Sequence, residues 1–135
     1  METRPQKNLV LILAREFASK LATPMFLADA DGNLVFYNEP AEDILGRTFA
    51  EAGEMPADEW PALFETEDVE GNPISLTQMP AGVAFAERRP AHGTLRIKGL
   101  DGVRRTISVT GFPLFAHTAE FVGVVAIFWQ ADEGA

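Results

Sequence analysis

Carboxylates are the side chains of this sequence most able to do chemistry, because the 135-residue chain has 20 Asp and Glu residues and no Cys. The pair Asp58 and Glu59, or Glu65 with Glu67, could act as a general acid and base. Both pairs lie in polar segments, where no burial would shift a carboxyl pKa. No Ser-His-Asp order, HExxH, Walker loop or GxGxxG motif is present. We predict that the protein is not an enzyme; a small single-domain enzyme with one buried carboxylate is the less favoured alternative.

The two histidines, His92 and His117, lie in or beside predicted connections, and we interpret both as loop residues. Two His residues without Cys are too few for a metal cluster, so no metal site is predicted. The lack of Cys also excludes disulfides and flavin adducts at a thiol, and it is typical of a reducing compartment.

The charge balance limits the partners. The formal net charge is −9, and the longest basic runs are the pairs Arg88-Arg89 and Arg104-Arg105. Such a surface repels phosphate backbones, so nucleic acid is not an expected partner, whereas a basic protein surface would be attracted. The apolar run LVLILA at residues 9–14 is too short to span a bilayer and has no cleavage site behind it. We expect a cytoplasmic protein with no membrane partner.

An amphipathic helix is predicted over residues 7–22, with apolar side chains on about half of its circumference. Ile12 intrudes on the polar side, which indicates that more than one surface packs on the helix. Pro24 pushes Thr23 out of the α region and so ends the helix.

The segments that follow predict an antiparallel sheet with helices. The Asp31-Gly32 turn between two apolar runs indicates a β-hairpin, short helical pieces occupy residues 39–65, and a further helix is predicted at residues 80–88. Three strands are predicted at residues 92–98, 103–112 and 120–129. The last strand, FVGVVAIFWQ, is apolar at nearly every position, so both of its faces must be covered. This order of elements predicts an α+β domain.

Asn38 stands where the strand pattern gives way to a helix pattern, and Asn is a preferred N-cap residue. Glu39 and Glu42 place negative charge near the positive end of the helix dipole, and Gly46 can close the helix. The junction therefore aims a short helix across the mouth of the sheet and leaves a space between them.

Together these motifs resemble the PAS (Per-Arnt-Sim) sensory domain family. ADADGNLVFYNEPAEDILG is similar to the family's opening hairpin and first short helix, GNPISLTQMPAGVAFAERRP to the stretch around its long helix, and IKGLDGVRRTISVTGFPL with FVGVVAIF to its last three strands. The resemblance implies a PAS-like five-stranded antiparallel sheet with short helices on one face and an N-terminal flanking helix. It divides the chain into a flanking and dimerisation helix at residues 1–22, a sensory domain at residues 23–130 and a tail at residues 131–135.

The resemblance also implies a role in signal transduction. A sensory or regulatory module of a two-component system or similar pathway would pass its signal to a histidine kinase, phosphatase or transcription regulator through a homodimer. The alternative is a ligand-free protein-interaction and dimerisation module. Where family members continue into an Asp-x-Thr signature, this chain reads WQADEGA, so the effector either belongs to a longer chain or is met in trans. The dimer interface is predicted at Val10, Leu13, Phe17, Leu21 and Phe128.

The resemblance implies a small central cavity, and the sequence limits what this cavity holds. Haem is disfavoured, because members that bind it use a His on the long helix, and His92 lies beyond that helix. No cofactor is therefore assigned, and the cavity is empty or holds a small apolar ligand. Tyr37 is expected at solvent or an interface, since strand alternation places it opposite Phe36. Alternation and helix facing predict these residues in the wall: Phe26, Phe36, Leu45, Phe64, Met79, Val83, Phe85, Ile107, Val109 and Ile127.

Overall fold

The computed structural model describes residues 4–116 and 119–131, with side chains described from Leu9 onward. His117 and residues 132–135 of the predicted tail lie outside the described residues. The helices are α1 (Arg4–Ala18), α2 (Glu39–Leu45), α3 (Phe49–Ala52), α4 (Trp60–Leu63) and α5 (Pro80–Glu87), with a 3₁₀ turn at Leu76–Gln78. The strands are β1 (Met25–Asp29), β2 (Leu34–Tyr37), β3 (Ala91–Lys98), β4 (Arg104–Phe115) and β5 (Phe121–Gln130).

The strands form one five-stranded sheet in the order β2-β1-β5-β4-β3, in which every neighbouring pair is antiparallel. The predicted α+β class is confirmed. Strand β4 runs beyond the predicted end at residue 112, since it continues to pair with β5 as far as Phe115. Pro113 is tolerated there because β3 pairs no further than Gly111, which leaves that side of β4 without a strand neighbour.

The sheet has two apolar faces. The inner face packs against α2, α4 and α5 and forms the larger core, which includes Phe26, Trp60 and Phe128. The outer face carries Met25, Leu27 and Val125, and α1 covers it through Ala18 with the half-buried Ala14 and Leu21. The prediction that both faces of the last strand are covered is confirmed, since β5 contributes to both clusters.

Helix α1 ends at Ala18, earlier than the predicted residue 22. The Lys20 N–H donates to the Phe17 carbonyl and the Leu21 N–H to the Ala18 carbonyl, each at 3.1 Å, so the last turn tightens. The Asn38 side chain also donates to the Ala18 carbonyl at 2.9 Å. The Ala18 carbonyl, which would accept from the next turn in a longer helix, therefore accepts from a side chain distant in the sequence.

Candidate functional site

A small cavity lies between the inner face of the sheet and the helices that cover it. Its volume is about 40 Å³. Aromatic rings dominate one part of the wall, where the ring centroid of Phe26 lies 5.5 Å from that of Trp60 and 6.0 Å from that of Phe128. The lining residues are Phe26, Leu34, Leu45, Trp60, Phe64, Thr66, Met79, Pro80, Ala81, Leu95, Ile97, Ile107, Val109 and Phe128.

The structure brings most of the predicted wall residues together. Those that line the cavity are Phe26, Leu45, Phe64, Met79, Ile107 and Val109. Val83 and Phe85 of α5 do not line it, and Phe85 instead packs edge-to-face on Phe121 with ring centroids 5.3 Å apart. Sequence reasoning missed Trp60, although an apolar aromatic residue in a polar segment was an available signal.

Phe36 and Tyr37 occupy the opposite faces from those predicted. The register between β1 and β2 shifts at Leu27 and Ala28, so Phe36 pairs with the outer-facing Leu27 and Tyr37 with the inner-facing Phe26. Such a bulge reverses any alternation counted through it. The expectation that Tyr37 meets solvent or an interface is therefore wrong.

Ile127 and Phe128 are likewise exchanged relative to the prediction. Phe128 lies in the cavity wall, and Ile127 packs in the outer-face cluster. The strand is apolar on both faces, so its sequence contains no alternation from which the facing could be read. Phe128 is therefore unavailable for the interface to which it was assigned.

The cavity wall is almost entirely apolar, and its few side-chain hydrogen-bond donors are already paired. The Thr66 hydroxyl donates to the Pro61 carbonyl at 2.8 Å, and the Trp60 indole N–H donates to the Gly32 carbonyl at 3.1 Å. These are the wall's side-chain donors, and both are used within the protein. No charged side chain lines this cavity among the described residues. The site can hold an apolar molecule, and it offers no acid, base or nucleophile for catalysis.

Neither flavin nor haem fits this wall. Drug-sized ligands occupy pockets of about 300–1,000 Å³, whereas this cavity measures about 40 Å³ and is narrowed by bulky aromatic rings. His92 projects from the outer face, where its Nδ1 lies 2.7 Å from the Thr110 hydroxyl, so this histidine does not reach the cavity.

The carboxylates considered for acid-base chemistry lie outside the cavity. Glu67 faces Arg96 at 3.6 Å and Arg104 at 3.7 Å, and Glu65 faces Arg104 at 3.4 Å. Asp58 and Glu59 are exposed. These groups border or lie near an open groove of about 560 Å³ between α4 and the segment that precedes the 3₁₀ turn.

Tyr37 is buried, and its hydroxyl donates to the Arg47 carbonyl at 2.8 Å. Burial, with the nearby Glu42 carboxylate as a second cause, raises the pKa of Tyr37 to about 12. The phenol therefore stays neutral and acts as a hydrogen-bond donor that fixes the segment after α2.

Asn38 is buried, and its side chain makes four hydrogen bonds that connect three elements of the fold. Its Oδ1 accepts from the N–H of Ala41 at 3.2 Å, which confirms the predicted N-cap of α2, and from the N–H of Met25 at 3.0 Å. Its Nδ2 donates to the carbonyls of Ala18 and Thr23, each at 2.9 Å. The end of α1, the start of β1 and the start of α2 therefore share one polar anchor.

Helix α1 leaves part of its apolar surface uncovered. Leu13 and Phe17 are 58% and 61% exposed, while Val10 and Leu21 are half-buried. On the side that faces the sheet, the Arg15 guanidinium lies over the ring of Phe36, 4.5 Å from its centroid. Ile12 is also exposed, so the second packing surface expected for it is not formed within this chain.

The comparisons with known proteins identify the fold. No family model matches the sequence, and no curated protein does. The structure is similar to the crystal structure of a PAS domain from Colwellia psychrerythraea, with 17% identity, a TM-score of 0.65 and coverage of 90% of this chain and 97% of that one. It is similar to the LOV protein of Rhodobacter sphaeroides, with 12% identity, a TM-score of 0.73 and coverage of 94% and 70%.

A third similar structure is the PAS domain of BvgS from Bordetella pertussis, with 15% identity, a TM-score of 0.58 and coverage of 92% of this chain and 87% of that one. The identities are low, but each comparison covers at least 90% of this chain. The five-stranded antiparallel sheet, the short helices on one face and the flanking helix agree with the resemblance drawn from the sequence motifs. The chain has the PAS fold.

Proposed function

We propose that this protein is a non-enzymatic sensory module that couples its internal cavity to the flanking helix α1 and passes the signal to an effector. The effector would be a histidine kinase, phosphatase or transcription regulator of a cytoplasmic signalling pathway, in the same chain or in trans. The structural neighbours include PAS and LOV domains, which supports a signalling role over catalysis. No described helix is long and apolar enough to cross a membrane, and the acidic surface disfavours nucleic acid as a partner.

The observation that carries this proposal is the anchor at Asn38. Helix α2 contributes Leu45 to the cavity wall, and α1 ends at Ala18. The Asn38 side chain bonds to both helices, at the N–H of Ala41 and the carbonyl of Ala18. A ligand that shifts α2 would therefore change the hydrogen bonds that hold the end of α1, and a shift of α1 would act back on the cavity.

The ligand would be small, uncharged and apolar, because the wall offers a volume of about 40 Å³ and no spare side-chain donor. The signal would leave through a homodimer formed by α1 and the residues just after it, at the exposed Leu13 and Phe17 and the half-buried Val10 and Leu21. Burial of such a stripe against a second copy would remove apolar surface from water on both chains.

Sedimentation of the double variant Leu13→Glu with Phe17→Glu tests the dimer. We expect the wild type to sediment as a dimer and the variant as a folded monomer with lower thermal stability, because the monomer loses the stabilisation that association gives to the folded state. The matched control, Leu63→Glu with Val69→Glu, changes two exposed apolar side chains away from α1 and should leave the dimer intact. A variant that remains fully dimeric would overturn the interface.

Native mass spectrometry tests the ligand separately. A discrete extra mass that is lost on denaturation would identify a bound molecule. A dimer that stays ligand-free after exposure to small hydrocarbons would favour the second candidate, a ligand-free protein-interaction and dimerisation module. The close packing around the cavity is the observation that favours this candidate.

A further inference from the structure

Strand β3 is one edge of the sheet, and the chain covers only part of that edge. Arg96 exchanges both backbone hydrogen bonds with Glu67, at 2.8 and 2.9 Å, and the Lys98 N–H donates to the Phe64 carbonyl at 2.7 Å. The backbone groups of a paired edge strand alternate between its neighbour and the open side, so His92 and Thr94 point theirs the same way as Arg96. Within residues 4–116 and 119–131, neither has a backbone partner on that side.

The edge stays open because the chain turns away from it at residues 68–72. The Asp68 Oδ1 accepts from the N–H groups of Glu70 and Asn72, each at 2.9 Å, and the following segment folds back so that Pro73 bridges to Glu67. A strand that continued straight from Glu67 would have run past Thr94. The turn therefore ends the coverage at one bridge residue and leaves residues 92–94 as a free edge.

This free edge lacks the features that usually protect an exposed edge strand. Such edges carry Lys, Pro, a bulge or an inward-pointing charge. Residues 92–94 read His-Gly-Thr, and β3 keeps an unbroken register with β4 from Ala91 to Lys98. His92 and Thr94 are both exposed. A row of unpaired backbone groups of this kind is a template for an added strand.

The strand at this edge is opposite in charge to the whole chain, whose net charge is −9, while Asp68 and Glu70 lie in the turn that leads the chain away from the edge. Residues 88–98 contain no acidic side chain, and Arg104 lies across from Lys98 on β4. The cations of this region outnumber the carboxylates that pair with them. The cations are Arg88, Arg89, Arg96, Lys98 and Arg104, and the paired carboxylates are Glu65, Glu67 and Glu87. A second copy would bring like charges together at this edge, whereas an acidic segment is complementary.

We propose that the free edge of β3 at residues 92–94 docks an extended acidic segment of a partner protein as an added β-strand. The backbone of His92 and Thr94 would supply the hydrogen bonds, and the surrounding cations would select the charge. On the outer face, the exposed His92 packs beside Trp129 with ring centroids 5.9 Å apart, so the His92 ring would lie next to alternate side chains of the docked strand.

The probe for this proposal is a short synthetic peptide of alternating glutamate and valine, titrated into the full chain and followed by ¹H–¹⁵N NMR. We expect the largest shifts, and slowed amide exchange, at His92 and Thr94. The same peptide with lysine in place of glutamate, and a glutamate peptide N-methylated at alternate residues, should bind about tenfold more weakly or not at all. Binding of the glutamate peptide should also weaken as salt is raised.

Two variants separate docking from general attraction. Thr94→Pro removes one edge N–H, a change that edge strands tolerate, and Thr94→Glu keeps the N–H but adds a repelling charge. Both should weaken binding about tenfold, while Val103→Glu, at an exposed position in the β3–β4 turn, should have a much smaller effect. Shifts centred elsewhere, equal binding by Thr94→Glu and Val103→Glu, or no binding of the glutamate peptide at millimolar concentration would overturn the proposal.

Discussion

The chain makes the same turn twice, at residues 29–33 (DADGN) and at residues 68–72 (DVEGN). In each, the first Asp accepts through Oδ1 from the N–H groups two and four residues ahead, at 2.9 to 3.0 Å. The closing Asn donates from Nδ2 to the Oδ2 of that Asp at 3.3 Å, and the Gly adopts a φ of +87° or +92°. The local sequence encodes the local structure in both places.

The surroundings of the two turns differ. In the first, the Asn33 side-chain oxygen accepts from the Ala57 N–H at 3.0 Å, and the Gly32 carbonyl accepts from the indole of Trp60, a residue of the cavity wall. The second turn is a surface feature whose Val69 is 56% exposed. One turn therefore positions the cavity, whereas the other only redirects the chain away from β3.

Replacing the turn glycines with alanine gives the largest expected difference. Both positions have positive φ, which strains any Cβ. A Cβ on Gly32 would also lie 3.2 Å from the Cβ of Ala57, whereas one on Gly71 meets nothing within 4 Å. We expect Gly32→Ala to lower the free energy of unfolding by about 2–3 kcal/mol and Gly71→Ala by about 1 kcal/mol, measured by urea denaturation. Equal losses would break the comparison.

Tyr37 extends the comparison to a buried phenol outside both turns, which should make the free energy of unfolding depend on pH in the alkaline range. Because folding raises the pKa of Tyr37 from its ordinary value of 10.0 to about 12, the folded state keeps a proton that the unfolded state loses. The contribution of this shift to the free energy of unfolding is complete below pH 10 and falls by about 2–3 kcal/mol as the pH rises from 10 through 12. Tyr37 is the only tyrosine, so phenolate absorbance reports it directly. The matched variant Tyr37→Phe should lack this alkaline loss.

The two turn asparagines should differ by a smaller amount. Asn33→Ala leaves the Ala57 N–H without its partner, and we expect a loss of about 1–2 kcal/mol. Asn72→Ala removes only contacts within an exposed turn, so a loss of about 0.5 kcal/mol or less is expected. Thermal denaturation of the two variants in parallel measures the difference, and a larger effect at Asn72 would contradict this reasoning.

The exposed turn at residues 68–72 should affect the free energy of unfolding mainly at acidic pH, through Asp68. Hydrogen bonds from backbone N–H groups hold the pKa of Asp68 below its ordinary value, and the bond from the Asn72 N–H is the largest cause. Its contribution to stability is therefore present above the unfolded pKa and is lost as the pH falls through the lower folded value. Asp68→Asn should have a shallower acid limb than the wild type in a plot of stability against pH. Solvent screens this carboxylate, so the effect should be the smallest of the four.

Sequence reasoning predicted the features that depend on near neighbours. The hairpin at the Asp31-Gly32 turn, the cap at Asn38 and the helix that begins at Pro80 all follow from residues a few positions apart, and each is present. The facing of Phe36 could not be predicted, because the bulge that reverses it arises from pairing with β1. The facing of Phe128 was hidden by a strand that is apolar on both sides.

The candidate site was predicted less completely than the fold for a related reason. The cavity wall draws on Trp60, whose position depends on a hydrogen bond to a turn that lies well before it in the chain. Similarly, Asn38 was predicted as a cap, but its bonds to Ala18 and Thr23 reach back across β1 and carry no short-range signal.

The central place of β5 has a consequence for the order of folding. Of the five strands, β5 is synthesised last. It pairs on one side with β1, for example Ile127 with Met25, and on the other side with β4. During synthesis the β1–β2 hairpin and the β3–β4 hairpin therefore have no strand to join them until β5 emerges, and α1 meanwhile lacks its contacts with Val125 and Ile127. Such distant pairing is slow to form, and the unjoined apolar faces are prone to aggregate. The intact sheet is thus completed only after all five of its strands have left the ribosome.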